Sequence, residues 1–398
     1  MQKKSDHVEQ EFGSAARFLK VLFGVVALIV VIVLAVNVTA FRFMVQPENV
    51  GLAQMVSGWG RTYKPILHDR TEADYLFFGA SWVRDLFDPQ MLQEDYGLET
   101  FNFGVSGGKA YENRRFLQSA LAVNNPKAVF LNLDSFDRLP TQRRVSLGFD
   151  DRLLNMTEEG EVYPYAHAWR TYMIGFGGAA VGHNLEFLGY VMDIKSGKTK
   201  EETVRSYDQF DFEANADILD NQHQKIFTSK PVPLDVERSD GSGGDYPQLL
   251  DQLEVAVELA CSEGVDVKAF TIPQPIFKYG CEADIGLEML YFDKLQELSA
   301  TCESDVSMHV YNYPNKVTLE AYYTDEPLSY FYREDGHPRP TLGRLIFANV
   351  LDLPFVGEHM TKADDFGVEV MSLDRREAEA VISEKKAGCA GGWAGLQE

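Results

Sequence analysis

The chain has 398 residues, of which 45% are hydrophobic and 24% charged, a composition that suits a protein with a core to bury and not a disordered one. Its 60 acidic and 37 basic residues leave a formal net charge of -23. So acidic a chain lacks the clustered Lys and Arg that nucleic acid or another polyanion needs in a partner.

Residues 21–41, "VLFGVVALIVVIVLAVNVTAF", carry no charge and are bracketed by Lys20 and Arg42. About 20 residues at a rise of 1.5 Å cross the hydrocarbon core of a bilayer. Lys3, Lys4, Arg17 and Lys20 precede the run, and the nearby Asp6, Glu9 and Glu11 count little in the positive-inside rule. The expectation is a cytoplasmic segment over 1–20, one transmembrane helix over 21–41 and the bulk of the chain outside. A cleaved signal peptide is the alternative, with Val38-Thr39-Ala40 as its small-residue site. The long leading segment and long apolar run favour the uncleaved anchor. Residues 42–70 read as a stalk with a short helix near 50–59.

Three apolar runs follow: "DYLFFG" (74–79), "ETFNFG" (99–104) and "AVFLNL" (128–133). Each has the length and the β-forming residues of a strand buried on both faces. Between the second and third, "KAYENRRFLQSALAV" (109–123) repeats apolar residues at helical spacing. Strand, helix and strand at this separation predict a βαβ unit and a parallel sheet. Residues 140–245 interrupt the pattern with charge, aromatic residues and glycine, and read as a largely helical insertion or cap. Alternation then resumes. A helix over 246–264 closes at Gly264, a strand covers 265–273, a helix 284–301, a strand 307–314, and a last helix starts near Pro340. The charged segment 365–398 reads as a disordered tail.

The cysteines are Cys261, Cys281, Cys302 and Cys389. No Cys-x-x-Cys pair and no zinc-type Cys/His spacing occurs, so no metal is expected. Pairing of Cys302 with either Cys261 or Cys281 is open, as are unpaired buried thiols.

Three stretches carry chemistry. Ser81 follows the first strand in "YLFFGASWVRDLFDP" (75–89). It is either a helix N-cap or a nucleophile at the carboxyl end of a parallel strand, where open α/β sheets place their ligands. The second strand runs into "NFGVSGG" (102–108), a turn whose backbone N–H groups can face an anion. Late in the chain, "FYREDGHPRPTLGRLI" (331–346) sets Glu334, Asp335 and His337 just before the last helix. A serine hydroxyl needs a base, and a histidine base needs a carboxylate to fix its tautomer.

In this order the stretches resemble the SGNH (GDSL-like) hydrolases. "GAS" matches the first block at Gly79 and Ser81, with Ala80 in place of aspartate. "NFGVSG" carries the second-block glycine to Gly107, and "EDGHP" matches the last block. The resemblance implies a flavodoxin-like, three-layer α/β domain over 71–364. It makes Ser81 the nucleophile, His337 the base and Asp335 (or Glu334) the orienting acid, with the Ser81 and Gly107 N–H groups as oxyanion hole and no cofactor. At the third block the chain departs from the pattern. "FLNLDSFD" (130–137) puts Asp134 at the expected glycine and Phe136 at the expected asparagine. Asn132 is the nearby substitute donor, and it falls inside the strand. With the anchor and the insertion, the chain looks most like membrane-anchored SGNH proteins of bacterial envelopes, of the polysaccharide O-acetyltransferase and D-alanyl-transfer kinds. That likeness implies an inner-membrane protein with its bulk in the periplasm. It implies acyl transfer or ester hydrolysis on an exopolysaccharide or other acylated envelope polymer, with a membrane acyl-transfer partner. The alternative is a non-catalytic glycan-binding or assembly protein on the same fold.

Overall fold

The computed structural model describes residues 2–46, 49, 53–54, 60–136, 145–146, 149–163, 180–197, 247–273, 285–311, 338–356 and 366–394. The chain divides into two compact units, one of residues 1–50 with 164–203 and one of residues 51–163 with 204–398.

The first unit pairs two helices. Helix α1 (Gln2–Met44) contains the uncharged run, and its part Arg17–Met44 is long and apolar enough to cross a membrane. Phe18, Phe23, Leu28 and Val31 leave it exposed on every side, as a helix meant for lipid would be. Further along, Asn37, Ala40 and Met44 are buried against α6 (Ala180–Lys195), which belongs to the expected helical insertion.

The second unit is built on a six-stranded sheet. In chain order its elements are α2 (Gly60–His68), β1 (Tyr75–Phe78), α3 (Ser81–Leu86), α4 (Pro89–Tyr96), β2 (Thr100–Asn102), α5 (Ala110–Leu121) and β3 (Ala128–Asn132). After the insertion come α7 (Pro247–Ser262), β4 (Asp266–Phe270), α8 (Gly286–Ser299), β5 (Val306–Tyr311), α9 (Pro340–Val350), β6 (Gly367–Glu369) and α10 (Arg375–Ala394). The strand order is β2-β1-β3-β4-β5-β6. The first five strands are parallel and β6 is antiparallel to β5. The parallel part has one of the common doubly wound orders.

Helices cover both faces. Phe77 and Phe78 are consecutive strand residues and so point to opposite sides. Phe77 meets Phe87 and the α9 residue Phe347, whereas Phe78 stacks on Phe103, which contacts Phe116 of α5. α3, α4 and α9 therefore pack on one face, and α5, α7 and α8 on the other.

The strands and helices stand where the apolar runs predict, within a few residues. Gly264, with φ 72°, ends α7 as expected. Two segments differ. Residues 60–68 of the expected stalk form α2, whose Lys64, Ile66, Leu67 and His68 are buried. Residues 366–394 are ordered, not a disordered tail. Phe366 packs on Tyr311, and Val370, Ala378 and Ile382 are buried. The start of α10 is capped reciprocally. Asp374 Oδ1 accepts from the N–H groups of Arg376 and Glu377, and Glu377 accepts from the Asp374 N–H at 3.2 Å. Cys261 is disulfide-bonded to Cys302, one of the two pairings left open. Apart from residues 53 and 54, the helix expected near 50–59 lies outside the described residues, as do residues 140–144, 147–148, 164–179 and 198–245 of the insertion.

Candidate functional site

In a doubly wound sheet, ligands bind beyond the carboxyl ends of the strands where the strand order reverses, here between β1 and β3. The β1 loop at that point is Gly79-Ala80-Ser81. Ser81 is the first residue of α3, and the N-cap position belongs to Ala80, whose side chain makes no cap bond. The N-cap reading of Ser81 therefore does not describe this helix. A Cβ on Gly79 would lie 2.3 Å from Val83 Cγ2, so the tight entry into α3 requires glycine.

The turn is tied to the end of β3. The Ala80 N–H donates to Ser135 Oγ at 2.9 Å, and that hydroxyl donates to Asn132 Oδ1 at 2.6 Å. Asn132 is the fully buried last residue of β3. Its Nδ2 donates to Asp134 Oδ2 at 3.3 Å and to the Phe270 carbonyl at 3.5 Å. Asp134 Oδ2 in turn accepts from the Ile272 N–H at 3.2 Å, joining the ends of β3 and β4. Asn132 thus reaches the Ser81 turn through Ser135, with its own amide engaged in the β3 turn. Phe136 is fully buried and offers no side-chain donor.

The glycine-rich loop after β2 lies directly against this turn. A Cβ on Gly108 would stand 2.8 Å from the Gly79 carbonyl oxygen and 3.2 Å from Ala80 Cα, and the Val105 N–H donates to Gly79 O at 3.3 Å. Gly107 has φ 60° with open space around its Cβ position, so backbone conformation alone calls for glycine there. Among the described residues no protein group accepts from the Gly107 N–H.

Cations hold this loop from beneath. The Arg84 guanidinium donates to Ser106 Oγ, and Arg61 Nη2 donates to the Ser106 carbonyl at 2.6 Å. Each is neutralised by a neighbour, Arg84 by Asp85 at 2.6 Å and Arg61 by the buried Glu112 at 3.1 Å. Lys64 is buried with its ammonium donating to the Gly104 carbonyl. Burial, reinforced by Arg84 and opposed by Asp85, holds its pKa well below the usual lysine range. Ser146 Oγ donates to Gly107 O at 3.0 Å from the first stretch of the insertion.

Sequence reasoning missed Asn102, the buried last residue of β2. Its Nδ2 donates to the carbonyls of Val83, Arg84 and Phe87 at 2.9, 3.1 and 2.7 Å, and its Oδ1 accepts from the Gly104 N–H at 2.7 Å. One amide thus caps the carboxyl end of the Ser81 helix and starts the Gly107 loop. Ser135 was missed as well. Both lie inside "NFGVSGG" and "FLNLDSFD", at positions to which the family resemblance gives no role.

Glu334, Asp335 and His337 lie outside the described residues. The element that follows them, α9, packs on α3 so tightly that a Cβ on Gly343 would stand 1.8 Å from the Leu86 carbonyl oxygen. Among the described residues no group of His, Cys, Asp and Glu is placed to hold a metal ion.

Comparison with protein-family models and with curated proteins finds no match.

Proposed function

We propose that the α/β unit is an SGNH-like acyl-transfer or ester-hydrolysing domain acting on an acylated extracytoplasmic polymer. Ser81 is the nucleophile, His337 the base and then the acid, and Asp335 (or Glu334) the orienting carboxylate. The observation that carries this reading is the apposition of the Gly108 backbone, next to Gly107, with the Gly79-Ala80 turn that leads into Ser81, at the carboxyl ends of β1 and β2. It supports two backbone N–H groups, of Ser81 and Gly107, as donors to a developing oxyanion beside a serine hydroxyl. The packing of α9 on α3 supports delivery of residues 334–337 to the same side. No cofactor enters the scheme: Ser81 Oγ attacks the acyl carbon of an ester donor and passes its proton to His337, which protonates the departing alcohol as the donor's C–O bond breaks. A sugar hydroxyl or water, deprotonated by His337, then attacks the acyl-serine, takes the acyl group and returns the proton to Ser81.

The Cys261–Cys302 disulfide supports an extracytoplasmic location for this unit, since such bonds persist in oxidising compartments. The basic residues before the apolar run support the same orientation. A bacterial inner-membrane protein with a periplasmic domain fits both.

A second reading has its own observation. With Asn132 engaged and Phe136 buried, the third donor of the resembling family has no equivalent among the described residues. Loss of one such donor costs about 100-fold or more in rate, and this favours a glycan-binding protein on the same fold. Labelling with a serine-directed fluorophosphonate separates the two. Labelling of the wild-type chain that vanishes in Ser81→Ala supports the enzyme. Absence of labelling, with polysaccharide binding equal in both proteins, supports the binding module instead.

A further inference from the structure

The two helices of the first unit carry an inference about the membrane. α1 has 21 uncharged residues between Lys20 and Arg42, about 31 Å of helix at 1.5 Å per residue. The hydrocarbon core is about 30 Å thick, so a spanning α1 has no room to slide along the bilayer normal. Asn37 lies four residues before the end of that run, about 6 Å inside the apolar layer. Asn184 Nδ2 of α6 donates to Asn37 Oδ1 at 2.7 Å, and both side chains are fully buried. Asn184 must therefore share the depth of Asn37.

The rest of the pair agrees with that depth. Asn37, Ala40 and Met44 face Asn184, Phe187 and Val191, with the same i, i+3, i+7 spacing on both helices. Lys195 Nζ stands 4.8 Å from the centre of the Phe43 ring. The two contacts, 37 with 184 and 43 with 195, make the helices run in the same sense. Rising at 1.5 Å per residue from Asn184, α6 leaves the apolar layer about four residues later, near Leu188, and carries Met192 and Lys195 into the interface. On its outer side Leu185 is 53% and Met192 70% exposed, with Leu188 between them half-buried. These three form a continuous apolar stripe beside a helix that is itself exposed to lipid.

We propose that the amino half of α6 is embedded in the leaflet at the carboxyl end of α1, with Leu185 against acyl chains, Leu188 at the edge of the apolar layer, Met192 among the headgroups and the Asn37–Asn184 bond joining the two helices. This rests on α1 spanning the membrane. Interhelical asparagine bonds of this kind suit an apolar medium, where an unpaired amide is costly. The insertion then serves as a second membrane contact, and the protein touches the bilayer through more than a single-helix tether.

The test is spin-label accessibility in the full-length chain, reconstituted in phosphatidylcholine–phosphatidylglycerol vesicles with Cys281→Ser and Cys389→Ser. Labels are placed singly through Leu185→Cys, Met192→Cys, Val30→Cys and Val162→Cys, the last being 76% exposed in the other unit. The expected result is an oxygen-to-nickel accessibility ratio at 185 that is severalfold above that at 162 and approaches that at 30, with the ratio at 192 falling between those at 185 and 162. A lipid-like ratio at 30 with a water-like ratio at 185 overturns the inference and leaves the span intact. A water-like ratio at 30 overturns the span itself. Low accessibility to both reagents at 185 and 192, with spin–spin broadening, overturns lipid contact in favour of a second copy of the chain.

Discussion

The side-chain amide of Asn102 donates to the Phe87 carbonyl at 2.7 Å, binding the end of β2 to the end of the helix that begins at Ser81. Because the same amide also serves Val83, Arg84 and the Gly104 N–H, it couples the serine turn to the oxyanion loop. Asn102→Ala leaves these buried groups without partners, and each unmade bond of this sort costs about 1–3 kcal/mol. The expected loss is about 3 kcal/mol, read as a lower urea midpoint at unchanged slope. Fluorophosphonate labelling of Ser81 should weaken with it. A midpoint equal to wild type would remove Asn102 as the link.

Gly343 gives a sharper steric case. A Cβ there would overlap the Leu86 backbone, at 1.8 Å from its oxygen and 2.6 Å from its carbon. Neither atom is the end of a flexible side chain. Gly343→Ala should force α9 away from α3 and destabilise the chain by about 3 kcal/mol or more. If α9 delivers the base, labelling of Ser81 in the surviving folded fraction should fall too. Normal stability in this variant would contradict the close packing of the two helices.

Acid should weaken the α/β unit through two buried histidines. His68 lies against the rings of Phe101 and Phe103, at 5.1 and 5.0 Å, and its Nε2 has no hydrogen-bond partner among the described residues. Burial lowers its pKa from 6.5 to about 4. His309 in β5 is also lowered to about 4, chiefly by burial and further by Lys268, with Glu369 and Asp305 opposing. The unfolded chain protonates both rings near pH 6.5, whereas the folded chain keeps them neutral down to about 4. Over that window the unfolded state binds more protons, so stability is full above pH 6.5 and falls as pH drops. The slope from each histidine is up to about 1.4 kcal/mol per pH unit. Denaturation from pH 7 to 4.5 checks this, and His68→Phe should flatten the fall. An unchanged slope in that variant would show His68 charged or exposed.

Much of the α/β unit was legible because its strands are buried on both faces, and burial writes itself as short runs such as "YLFF" and "AVFLN". The ends of β1 and β2, after which Ser81 and Gly107 stand, were legible for a related reason: both apolar runs break at glycine. Asn102 was hidden because the capping amide lies at the end of its own strand and serves carbonyls 15 to 19 residues earlier. No local pattern encodes that distance. The α10 cap, by contrast, was written locally as Asp374-Arg375-Arg376-Glu377, and the charge of the surrounding segment masked it. In α6 the buried stripe of Asn184, Phe187 and Val191 is interleaved with a second apolar stripe. Without a partner helix in view, those two faces merge into an aromatic-rich insertion.

The disulfide links stability to location. Cys261 lies near the end of α7 and Cys302 three residues past α8, with a sequence separation of 41 that encloses β4. Cross-linking a loop of this size removes denatured-state entropy equivalent to about 4 kcal/mol on the chain-entropy account. Cys261→Ser with Cys302→Ser should therefore lower stability by about 2–4 kcal/mol, and a reductant should do the same to the wild-type chain without further effect on the variant. The same pair reports the compartment. In intact cells, a membrane-permeant alkylating reagent should leave Cys261 and Cys302 unmodified until reductant is added, because a domain in an oxidising space holds them bonded. Direct alkylation of both thiols before reduction would mean that the bond does not form in the cell. The orientation drawn from the basic residues before the apolar run would then lose its independent support.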